Sequence, residues 1–526
     1  MTAVHVLPDE RALLLETSDP SILPRLPAAF QLQPGLLGMP HDLDSVIRLA
    51  SMGVKAPSPI ENYYDWPRER TLVPDPFAHQ RETAGFMLSH PHGYVLNDIG
   101  TGKTLASLWA ADYLMSLRPR VHPLRCCVIA PLSTLERVWG DALFIHLKHR
   151  KFEILHGSSE RRRKRLANPA DFYVINHDGV QVLAKELLAR PDIDIWIIDE
   201  LTFYRNKQTG AWKVLESILY PTRGLPKTWV WGMTGKPIPQ SPENAYGQCK
   251  LVTPASVPKF FTQWRNLVMD HQSTYIWTPR PESVSIVHKA MQPAIRFKRD
   301  ECMDLPPEIH TTLDVTLSAE QTKHYKAVMK ELSTEVAGGR INAVNEGVKL
   351  SKLLQIACGT VYDVNGVPRE MDAGNRIETL MELIECVDEK VIVFVPFTAV
   401  TASIARVLNK YWNFAIVTGQ TPIKERNEIF GRFQQPDSDV DIIAHPECMS
   451  HGLTLTEAST IIWFAPIDSN ETYEQANGRI TRSGQKYTAN IIHLAGSAVE
   501  RRAYRRLRER QKLQGMLLEM YESGEL

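Results

Sequence analysis

The sequence predicts an α/β fold of two doubly wound lobes of parallel strands, preceded by a small loop-rich N-terminal module. From about residue 77 onward, short apolar runs alternate with longer segments at helical spacing, which is the pattern of a parallel sheet covered by helices. This alternation loosens between about residues 255 and 310 and then resumes. The interruption predicts two lobes rather than one continuous sheet.

The ten strands that carry this prediction fall into two groups of five. The first lobe is expected to contain strands at Tyr94–Leu96, Cys126–Ala130, Phe172–Ile175, Ile195–Ile198 and Trp229–Met233. The second lobe is expected to contain strands at Val391–Val395, Phe414–Val417, Val440–Ala444, Thr460–Phe464 and Asn490–Leu494. Most of these runs are continuously apolar, as expected of strands that are buried on both faces.

Proline content sets the expected domain boundaries. Eleven of the 35 prolines fall in the first 76 residues, so long regular elements are not expected there. We predict an N-terminal module over residues 1–74, a first lobe over 75–295 and a second lobe over 296–526. Tyr63, Tyr64 and Trp66 could stack on a base or anchor the module, and the anchor is the favoured interpretation.

Length and composition describe an ordinary globular protein. The 526 residues contain 60 Lys and Arg against 60 Asp and Glu, so the formal net charge is zero. With 43% hydrophobic and 23% charged residues, the chain is neither collagen-like nor wholly disordered. Neutrality excludes a histone-like polycation but does not exclude nucleic-acid binding, because a protein that tracks one groove needs only a local basic stripe.

Cysteine usage and hydropathy predict the cellular setting. The seven cysteines are an odd number and include no Cys-x-x-Cys pair, which is typical of a reducing compartment. Asp9, Glu10 and Arg11 interrupt the short apolar runs at the N-terminus, so no signal peptide is expected. No uncharged apolar stretch approaches the roughly 20 residues of a membrane span. We therefore predict a cytoplasmic protein without a membrane partner.

A phosphate-binding loop is predicted directly after the first strand. The segment reads Asn97-Asp98-Ile99-Gly100-Thr101-Gly102-Lys103-Thr104 and is followed by a helical pattern. Glycines allow backbone N–H groups to surround phosphate oxygens at a helix N-terminus. Lys103 is expected to reach the β- and γ-phosphates, and the Thr104 hydroxyl to bind Mg²⁺. A Gly-rich turn without ligand is the alternative, and Asn97 departs from the general motif, which has glycine there.

An acidic pair follows another buried strand. Ile195–Ile198 runs into Asp199 and Glu200. At the end of such a strand one carboxylate can hold Mg²⁺ through water, while the other orients and deprotonates an attacking water. An acidic pair after a strand is by itself more often a solvated loop. Because a phosphate loop lies upstream, the catalytic interpretation of this acidic pair is favoured over a solvated loop.

Four further segments begin one or two residues after predicted strands. They are Pro131–Thr134, Thr234–Pro237, His445–Thr454 and Pro466–Gln485. Ligands of open α/β sheets bind beyond the carboxyl ends of strands, so this placement supports a common site. In the last segment Arg479 and Arg482 are three apart, and on a helix they would point the same way toward one phosphate group. The alternative is a surface helix with two solvated arginines.

These segments together resemble the Swi/Snf-like branch of superfamily-two helicases and translocases, in particular its compact phage and prokaryotic members. The resemblance covers roughly residues 75–515. Each segment resembles one motif of that branch: Phe77–Gln80 the entry motif, Asp98–Thr104 motif I, Pro131–Thr134 motif Ia, Asp199–Glu200 motif II, Thr234–Pro237 motif III, His451–Leu455 motif V and Gln475–Gln485 motif VI. Departures occur at Leu201, Thr202 and Lys236, positions that couple nucleotide state to DNA grip in this branch.

The resemblance implies two RecA-like lobes, ATP and Mg²⁺ as cofactors, and nucleic acid, expected to be duplex DNA, as partner. The residues it assigns to catalysis are Lys103, Asp199, Glu200, Arg479 and Arg482. Those it assigns to nucleotide or Mg²⁺ binding are Gln80, Gly100, Thr101, Gly102, Lys103, Thr104, Asp199, Gly452 and Gln475. The expected function is an ATP-driven motor on duplex DNA in the cytosol of a prokaryote or a phage-infected host. A strand-separating DNA or RNA helicase and a non-hydrolysing, nucleotide-gated DNA-binding scaffold are the alternatives.

Overall fold

The computed structural model divides into two compact units. The first unit runs to Cys302, and the second comprises the described residues from 306 to 509. The residues that the structure describes are 3–19, 22–66, 75–117, 123–222, 225–238, 241–273, 276–302, 306–331, 333–336, 339–342, 346–449, 455–482 and 484–509. Among these residues, no helix is both long enough and apolar enough to cross a membrane.

The N-terminal module consists of short elements with a small core of their own. Its elements are β1 Ala3–Leu7, β2 Ala12–Glu16, β3 Phe30–Gln33, β4 Leu36–Pro40, α1 Leu43–Ser51 and α2 Pro59–Tyr63. The strands form an antiparallel sheet in the order β1-β2-β4-β3. Leu13, Leu15 and Leu49 are fully buried in its core. The elements described in this module are all short, in agreement with the proline content, whereas the antiparallel sheet was not predicted.

Aromatic side chains join this module to the first lobe. The Tyr64 hydroxyl donates a hydrogen bond of 2.6 Å to the Asp112 carboxylate. The indole of Trp66 packs edge-on against that of Trp109, with ring centroids 5.6 Å apart. Tyr63 bonds to His41 within the module. Tyr64 and Trp66 therefore contact the first lobe, as the anchor interpretation predicts, whereas the Tyr63 contact lies within the module.

The first lobe is built on a seven-stranded, wholly parallel sheet in the order β13-β5-β10-β9-β6-β8-β7. Its strands are β5 His92–Val95, β6 Arg125–Ala130, β7 Phe152–Ile154, β8 Phe172–Asn176, β9 Ile193–Asp199, β10 Trp229–Met233 and, after a hairpin of β11 Met269–Ser273 and β12 Ile276–Pro279, β13 Ala294–Ile295. The central strands are apolar along their whole length because helices cover both faces of the sheet.

Eleven helices of the first unit accompany these strands in the described residues. They are α3 Ala78–Ser89, α4 Lys103–Ser116, α5 Asp141–His146, α6 Ser159–Ala167, α7 His177–Val182, α8 Ala184–Leu188, α9 Gly210–Leu219, α10 Ala245–Val252, α11 Phe261–Val268, α12 Ser283–Ala290 and α13 Arg299–Cys302. A π-helical turn, Leu135–Gly140, leads into α5. Trp109, Trp139 and Trp231 are among the large side chains fully buried in the core.

The second unit is built on a six-stranded parallel sheet in the order β14-β23-β22-β19-β21-β20. Its strands, with two small hairpins, are β14 Glu308–Asp314, β15 Ser333–Val336, β16 Gly339–Asn342, β17 Thr360–Tyr362, β18 Pro368–Glu370, β19 Lys390–Phe394, β20 Asn413–Val417, β21 Val440–Ala444, β22 Ala458–Trp463 and β23 Ala489–Ala495. Two apolar clusters pack on the two faces of this sheet.

The helices of the second unit end with one that is anchored by a buried ion pair. They are α14 Ala319–Glu331, α15 Glu346–Ala357, α16 Gly374–Glu385, α17 Thr398–Leu408, α18 Ile423–Phe433, α19 Asn470–Asn477 and α20, residues 498–509. The Glu500 N–H donates to the Ser497 hydroxyl at the start of α20. The Glu500 carboxylate binds the Arg376 guanidinium, and both side chains are buried.

All ten predicted strands are confirmed, with ends that differ by no more than two residues. Of the strands in the two parallel sheets, the sequence pattern missed β7, β13 and β14. The first two contain only three and two residues, too few to show a period. β14 is an edge strand whose side chains are almost all exposed, so it lacks the apolar run of a buried strand. The predicted fold class of two parallel-sheet lobes is correct.

Candidate active site

The predicted phosphate loop connects β5 to α4, as expected. Gly100 and Gly102 have φ angles of +91° and +81°, in the left-handed region that favours glycine. A Cβ atom on Gly102 would also lie 1.9 Å from the Gln80 amide nitrogen. Lys103 and Thr104 are the first two residues of α4. The loop therefore presents a helix N-terminus, where backbone N–H groups and the helix dipole favour an anion.

The Lys103 amine lies among backbone carbonyls and carboxylates. Its Nζ atom donates hydrogen bonds of 2.8 Å to the carbonyl oxygens of Asn97 and Asp98. Loss of surrounding water lowers the Lys103 pKa, and the charges of Glu200, then Asp199 and Asp98, oppose this decrease. In the sheet, Met233 of β10 pairs with both Val95 and Asp199, so the phosphate loop and the acidic pair begin at the same edge of the sheet.

Asp199 is held by two hydrogen-bond donors at the end of β9. One carboxylate oxygen accepts the Glu200 N–H at 3.1 Å, and the other accepts the indole N–H of Trp139 at 3.2 Å. Burial raises the Asp199 pKa, while Lys103 and then the Trp139 bond act in the opposite direction. Sequence reasoning missed Trp139, because only the order of strands in the sheet brings it to Asp199.

Glu200 occupies a strained backbone conformation. Its φ and ψ angles are +50° and +55°, which a non-glycine residue adopts at a cost of about 1–3 kcal/mol. Directly after it, Leu201 and Thr202 begin a short 3-10 helix and are fully buried. A Cβ atom on Gly232 would lie 2.5 Å from a Leu201 methyl carbon, so Leu201 fills the space beside that glycine. The two departures from motif II are therefore core positions.

Polar side chains from neighbouring segments hold the phosphate loop. Asn97 donates to the Thr83 hydroxyl at 2.9 Å and accepts the Phe297 N–H at 3.0 Å, which explains an asparagine where the general motif has glycine. The Gln80 amide and the His79 ring contact the Thr101 carbonyl oxygen, at 3.5 Å and 2.8 Å. The Gln80 side chain thus reaches the loop from α3. Its predicted reading of adenine stays a prediction.

Two more of the predicted segments follow strands of the same sheet. Thr234 comes directly after β10, and its N–H donates to the Val95 carbonyl at 3.1 Å, next to the start of the phosphate loop. The Lys236 N–H donates to the Thr234 hydroxyl at 3.0 Å. Pro131–Thr134 follows β6 and forms a short turn in which the Thr134 hydroxyl bonds to the Pro131 carbonyl. The segments that resemble motifs I, Ia, II and III therefore all follow the carboxyl ends of strands in this one sheet.

The arginine segment of the second unit does not have the predicted helical geometry. Helix α19 ends at Asn477, and Arg479 and Arg482 lie in the turns that follow Gly478. The prediction that the two arginines share a helix face is wrong, because Gly478 ends the helix. Arg479 is buried, with 2% of its surface exposed, whereas Arg482 is half-buried and its Nε donates to the Gly478 carbonyl at 3.0 Å.

Long-range hydrogen bonds shape this segment. The Gln485 side-chain amide donates to the carbonyl oxygens of Ala458 and Ile480, at 2.7 Å and 2.9 Å. The Leu455 N–H donates to the Arg479 carbonyl oxygen at 3.0 Å. Gln475 is buried on α19. The predicted site residue Gly452, with the rest of His451–Thr454, lies outside the described residues.

The oxygen donors at the end of the first sheet fit a magnesium ion. Thr104 offers a hydroxyl and Asp199 a carboxylate, which are hard ligands of the kind that Mg²⁺ prefers. Within the described residues, no group of three or more acidic, histidine or cysteine side chains could hold a metal by itself. Mg²⁺ is commonly bound by one or two protein oxygens together with substrate phosphates, and the arrangement here suits that mode.

Comparison with known proteins identifies the family of this chain. The SNF2-related domain matches residues 79–360, more than half of the chain. The chain belongs to the SNF2 family. The helicase conserved C-terminal domain matches residues 375–484, so both families expected of a two-lobed helicase-like ATPase are present. The family resemblance stated from the motifs is confirmed.

Individual relatives of this SNF2-family protein are distant. The nuclear protein STH1/NPS1 of Saccharomyces cerevisiae is 24% identical over 446 residues, covering 77% of this chain and 32% of that protein. Protein p41 of Acyrthosiphon pisum secondary endosymbiont phage 1 is 26% identical over 314 residues, covering 56% of this chain and 65% of p41. The chain therefore spans about a third of the first relative's length and just under two thirds of the second's. The Sulfolobus solfataricus SWI2/SNF2 ATPase core in complex with dsDNA aligns at a TM-score of 0.39 and 19% identity, over 87% of this chain and 97% of that one.

Proposed function

We propose that this SNF2-family protein hydrolyses ATP with Mg²⁺ and uses the energy to translocate on duplex DNA. One observation carries the proposal: the phosphate loop, which places Lys103 at a helix N-terminus, and the acidic pair Asp199–Glu200 follow strands β5 and β9, which flank the same strand β10 in parallel, so both begin at one edge of the sheet. A phosphate-binding helix end, a lysine and a pair of carboxylates are the parts that phosphoryl transfer to water requires.

Each residue of the first unit has a separate role in the proposed reaction. The backbone N–H groups of Gly100–Thr104 bind the phosphates, and Lys103 exchanges its bonds with two backbone carbonyls for bonds to phosphate oxygens. Glu200 orients the attacking water and removes its proton. Gln80 reads the adenine, and Gly452 and Gln475 keep the nucleotide-binding roles that the family resemblance implies.

The Thr104 hydroxyl and the Asp199 carboxylate would hold Mg²⁺, directly or through water. When bound with ATP, the ion neutralises charge on the phosphate oxygens. Trp139 keeps one Asp199 oxygen in place by its indole N–H. The acidic side chain is thereby oriented before the nucleotide arrives.

Arg479 and Arg482 supply the remaining positive charge in this proposal. Guanidinium groups stabilise the charge on the transferring phosphoryl group and contribute about 10³- to 10⁵-fold in rate where they have been measured. Both residues belong to the second unit. Turnover should therefore require both units, whereas tight ATP binding should depend mainly on the first.

Translocation on duplex DNA is distinguished from strand separation by a paired experiment. The full chain is incubated with a triplex and, separately, with a forked duplex, each with and without ATP. We expect ATP-dependent displacement of the third strand and no unwinding of the fork, and Glu200→Gln should remove the displacement. Efficient unwinding without triplex displacement would favour the helicase alternative. ATP binding without hydrolysis on any nucleic acid would favour the scaffold.

The preferred nucleic acid is measured by ATPase rates with duplex DNA, single-stranded DNA and RNA. A motor that passes every sequence must grip phosphates rather than bases, so stimulation should be independent of sequence. At sub-saturating DNA it should fall steeply between 50 and 200 mM salt, because the DNA affinity of a grip on many phosphates falls by about 10³-fold or more over this range. A stimulated rate that does not change over this range, or that is confined to one sequence, would contradict the proposal.

We also propose a cytosolic setting, in a prokaryote or a phage-infected host. None of the seven cysteines forms a disulfide, as expected in a reducing compartment. The relative p41 comes from a phage, which supports the same setting. Fractionation of the expressing cells, with detection of the untagged protein in the cytosolic fraction, tests this point.

A further inference from the structure

The phosphate loop contains an acidic residue at a position where negative charge opposes its proposed ligand. Asp98 lies between Asn97 and Gly100, and its side chain is 34% exposed. A carboxylate so close to the phosphate-binding backbone would repel a triphosphate. The loop can therefore bind ATP well only if this charge is balanced.

Arg296 provides that balance from a distant part of the chain. Its Nη2 atom lies 2.7 Å from an Asp98 carboxylate oxygen, and its Nη1 atom donates to the Leu96 carbonyl at 2.7 Å. The Arg296 side chain is only 4% exposed. The guanidinium is thus fixed by two bonds on the loop and is largely shielded from water, which strengthens its pairing with Asp98.

The backbone around Arg296 is bonded along the same loop. The N–H groups of Leu96 and Asp98 donate to the carbonyl oxygens of Ile295 and Phe297, at 2.9 Å and 3.0 Å. The Arg299 N–H donates to the second Asp98 carboxylate oxygen at 3.0 Å. The segment that follows β13 therefore holds Asp98 from both its backbone and its side chain.

The electrostatics agree with this geometry. Burial alone would raise the Asp98 pKa, but the Arg296 charge and the Arg299 N–H bond bring it below its ordinary value. Asp98 is therefore ionised at neutral pH. Asp98 raises and Arg296 lowers the pKa of Lys103, so the two charges act on the amine in opposite directions.

We propose that Arg296 is a positioning residue for nucleotide binding, which neutralises Asp98 so that the loop presents Lys103 and its N–H groups to the phosphates without an opposing charge. This inference rests on the proposed function, because it assumes that the loop binds ATP. It assigns a role to a residue about 200 positions from the loop in sequence. Arg296 lies outside every segment that resembles a motif of the family.

The test is a double-mutant cycle read out as the dissociation constant of Mg-ATP for the full chain without DNA. Arg296→Met should weaken ATP binding roughly tenfold, the scale of one uncompensated charge beside an anion. Asp98→Asn should bind ATP as tightly as the wild type or more tightly. The double variant should return to within about threefold of the wild type, because it leaves no charge uncompensated.

A structural role gives a different result in the same cycle. If Arg296 served only to fasten its segment, the double variant would bind as weakly as Arg296→Met, and that outcome would overturn the inference. The Arg296→Met deficit should also shrink as salt is raised, since screening weakens a charge effect but not a packing effect. A deficit independent of salt would equally contradict the role.

Two controls keep the test interpretable. Lys298→Met removes a positive charge from the same segment, where Lys298 lies 3.8 Å from Glu301, and should leave ATP affinity unchanged. If Arg296→Met does not fold, as judged by its melting curve, Asp98→Asn alone decides, and weakened ATP binding in that variant would overturn the inference. If the wild type does not bind ATP and Lys103→Ala changes nothing, the proposed function itself fails.

Discussion

The phosphate loop of the first unit and the arginine segment of the second hold their charged side chains in different ways. Lys103, Asp199 and Glu200 lie at the ends of regular elements, where a helix begins or a strand stops. Arg479 and Arg482 lie in turns after the end of α19, and bonds from Leu455 and Gln485 shape those turns. The first arrangement depends on local backbone geometry, and the second depends on contacts between distant segments.

This difference has a consequence for how substitutions act. At the phosphate loop a side chain can be changed without removing the helix or strand that presents it, so chemistry and folding are separable. In the arginine segment Arg479 is buried and is part of the packing as well as of the proposed chemistry. Changes there should affect stability and turnover together, except at the more exposed Arg482.

The largest effect is expected at Arg482. Arg482→Ala should lower kcat by about 10³-fold or more with an ATP affinity within about threefold of the wild type, because the guanidinium acts on charge that develops only during transfer. Single-turnover hydrolysis and equilibrium ATP binding measure the two quantities separately. Arg479→Ala should lower the Tm as well as kcat. Equal melting temperatures for the two variants would show that Arg479 contributes no more to packing than Arg482 does.

The next largest effect is expected at Glu200. Glu200→Gln keeps the shape but loses the base, so it should bind ATP and hydrolyse it about 10²- to 10⁴-fold more slowly. Lys103→Ala should instead weaken ATP binding. Rapid-quench hydrolysis and nucleotide titration distinguish these outcomes, and a Glu200→Gln variant with the wild-type rate would show that the acidic pair has been misassigned. Both variants should melt near the wild-type temperature, since their backbone elements remain.

Arg376→Met tests how much the buried Arg376–Glu500 ion pair contributes to the free energy of unfolding of the second unit. Removing one partner of the buried Arg376–Glu500 pair leaves a carboxylate without its cation, at a cost of about 3–5 kcal/mol in the free energy of unfolding. The matched control is Arg501→Ala, which breaks the 2.7 Å pair with Asp314, where both side chains are well exposed. That change should cost less than about 1 kcal/mol. Urea unfolding followed by circular dichroism measures both free energies, and equal losses would show that burial adds nothing to the cost of leaving Glu500 without Arg376.

The smallest effect is expected from Trp139→Phe, which removes a hydrogen-bond donor but keeps a large apolar ring. Asp199 must be ionised to hold Mg²⁺. Burial raises the Asp199 pKa, and the hydrogen bond from the Trp139 indole lowers it. Losing this bond should raise the pKa further and move the acidic limb of the pH–rate profile to higher pH. The Mg²⁺ concentration for half-maximal nucleotide binding should increase about threefold to tenfold. An unchanged pH limb together with unchanged Mg²⁺ dependence would remove Trp139 from the site.

Much of the first site could be predicted because its residues follow local rules. Gly100 and Gly102 supply the left-handed conformations that the turn needs, and two carboxylates directly follow an apolar run. The end of α19 was misjudged, since the motif was extended through Gly478 as if the helix continued. The antiparallel sheet of the N-terminal module was also missed, because its strands are short and lie between prolines and turns.

The main alternation of strands and helices along the chain, the phosphate loop and the acidic pair could be predicted from the sequence, because periodicity and turn chemistry depend on residues that are close along the chain. Which distant side chains meet depends instead on the tertiary structure. Trp139 reaches Asp199 because β6 and β9 are neighbours in the sheet, and Arg296 reaches Asp98 because β13 pairs with β5. The order of strands follows from the packing of the whole lobe, and no local pattern near Arg296 or Trp139 specifies it.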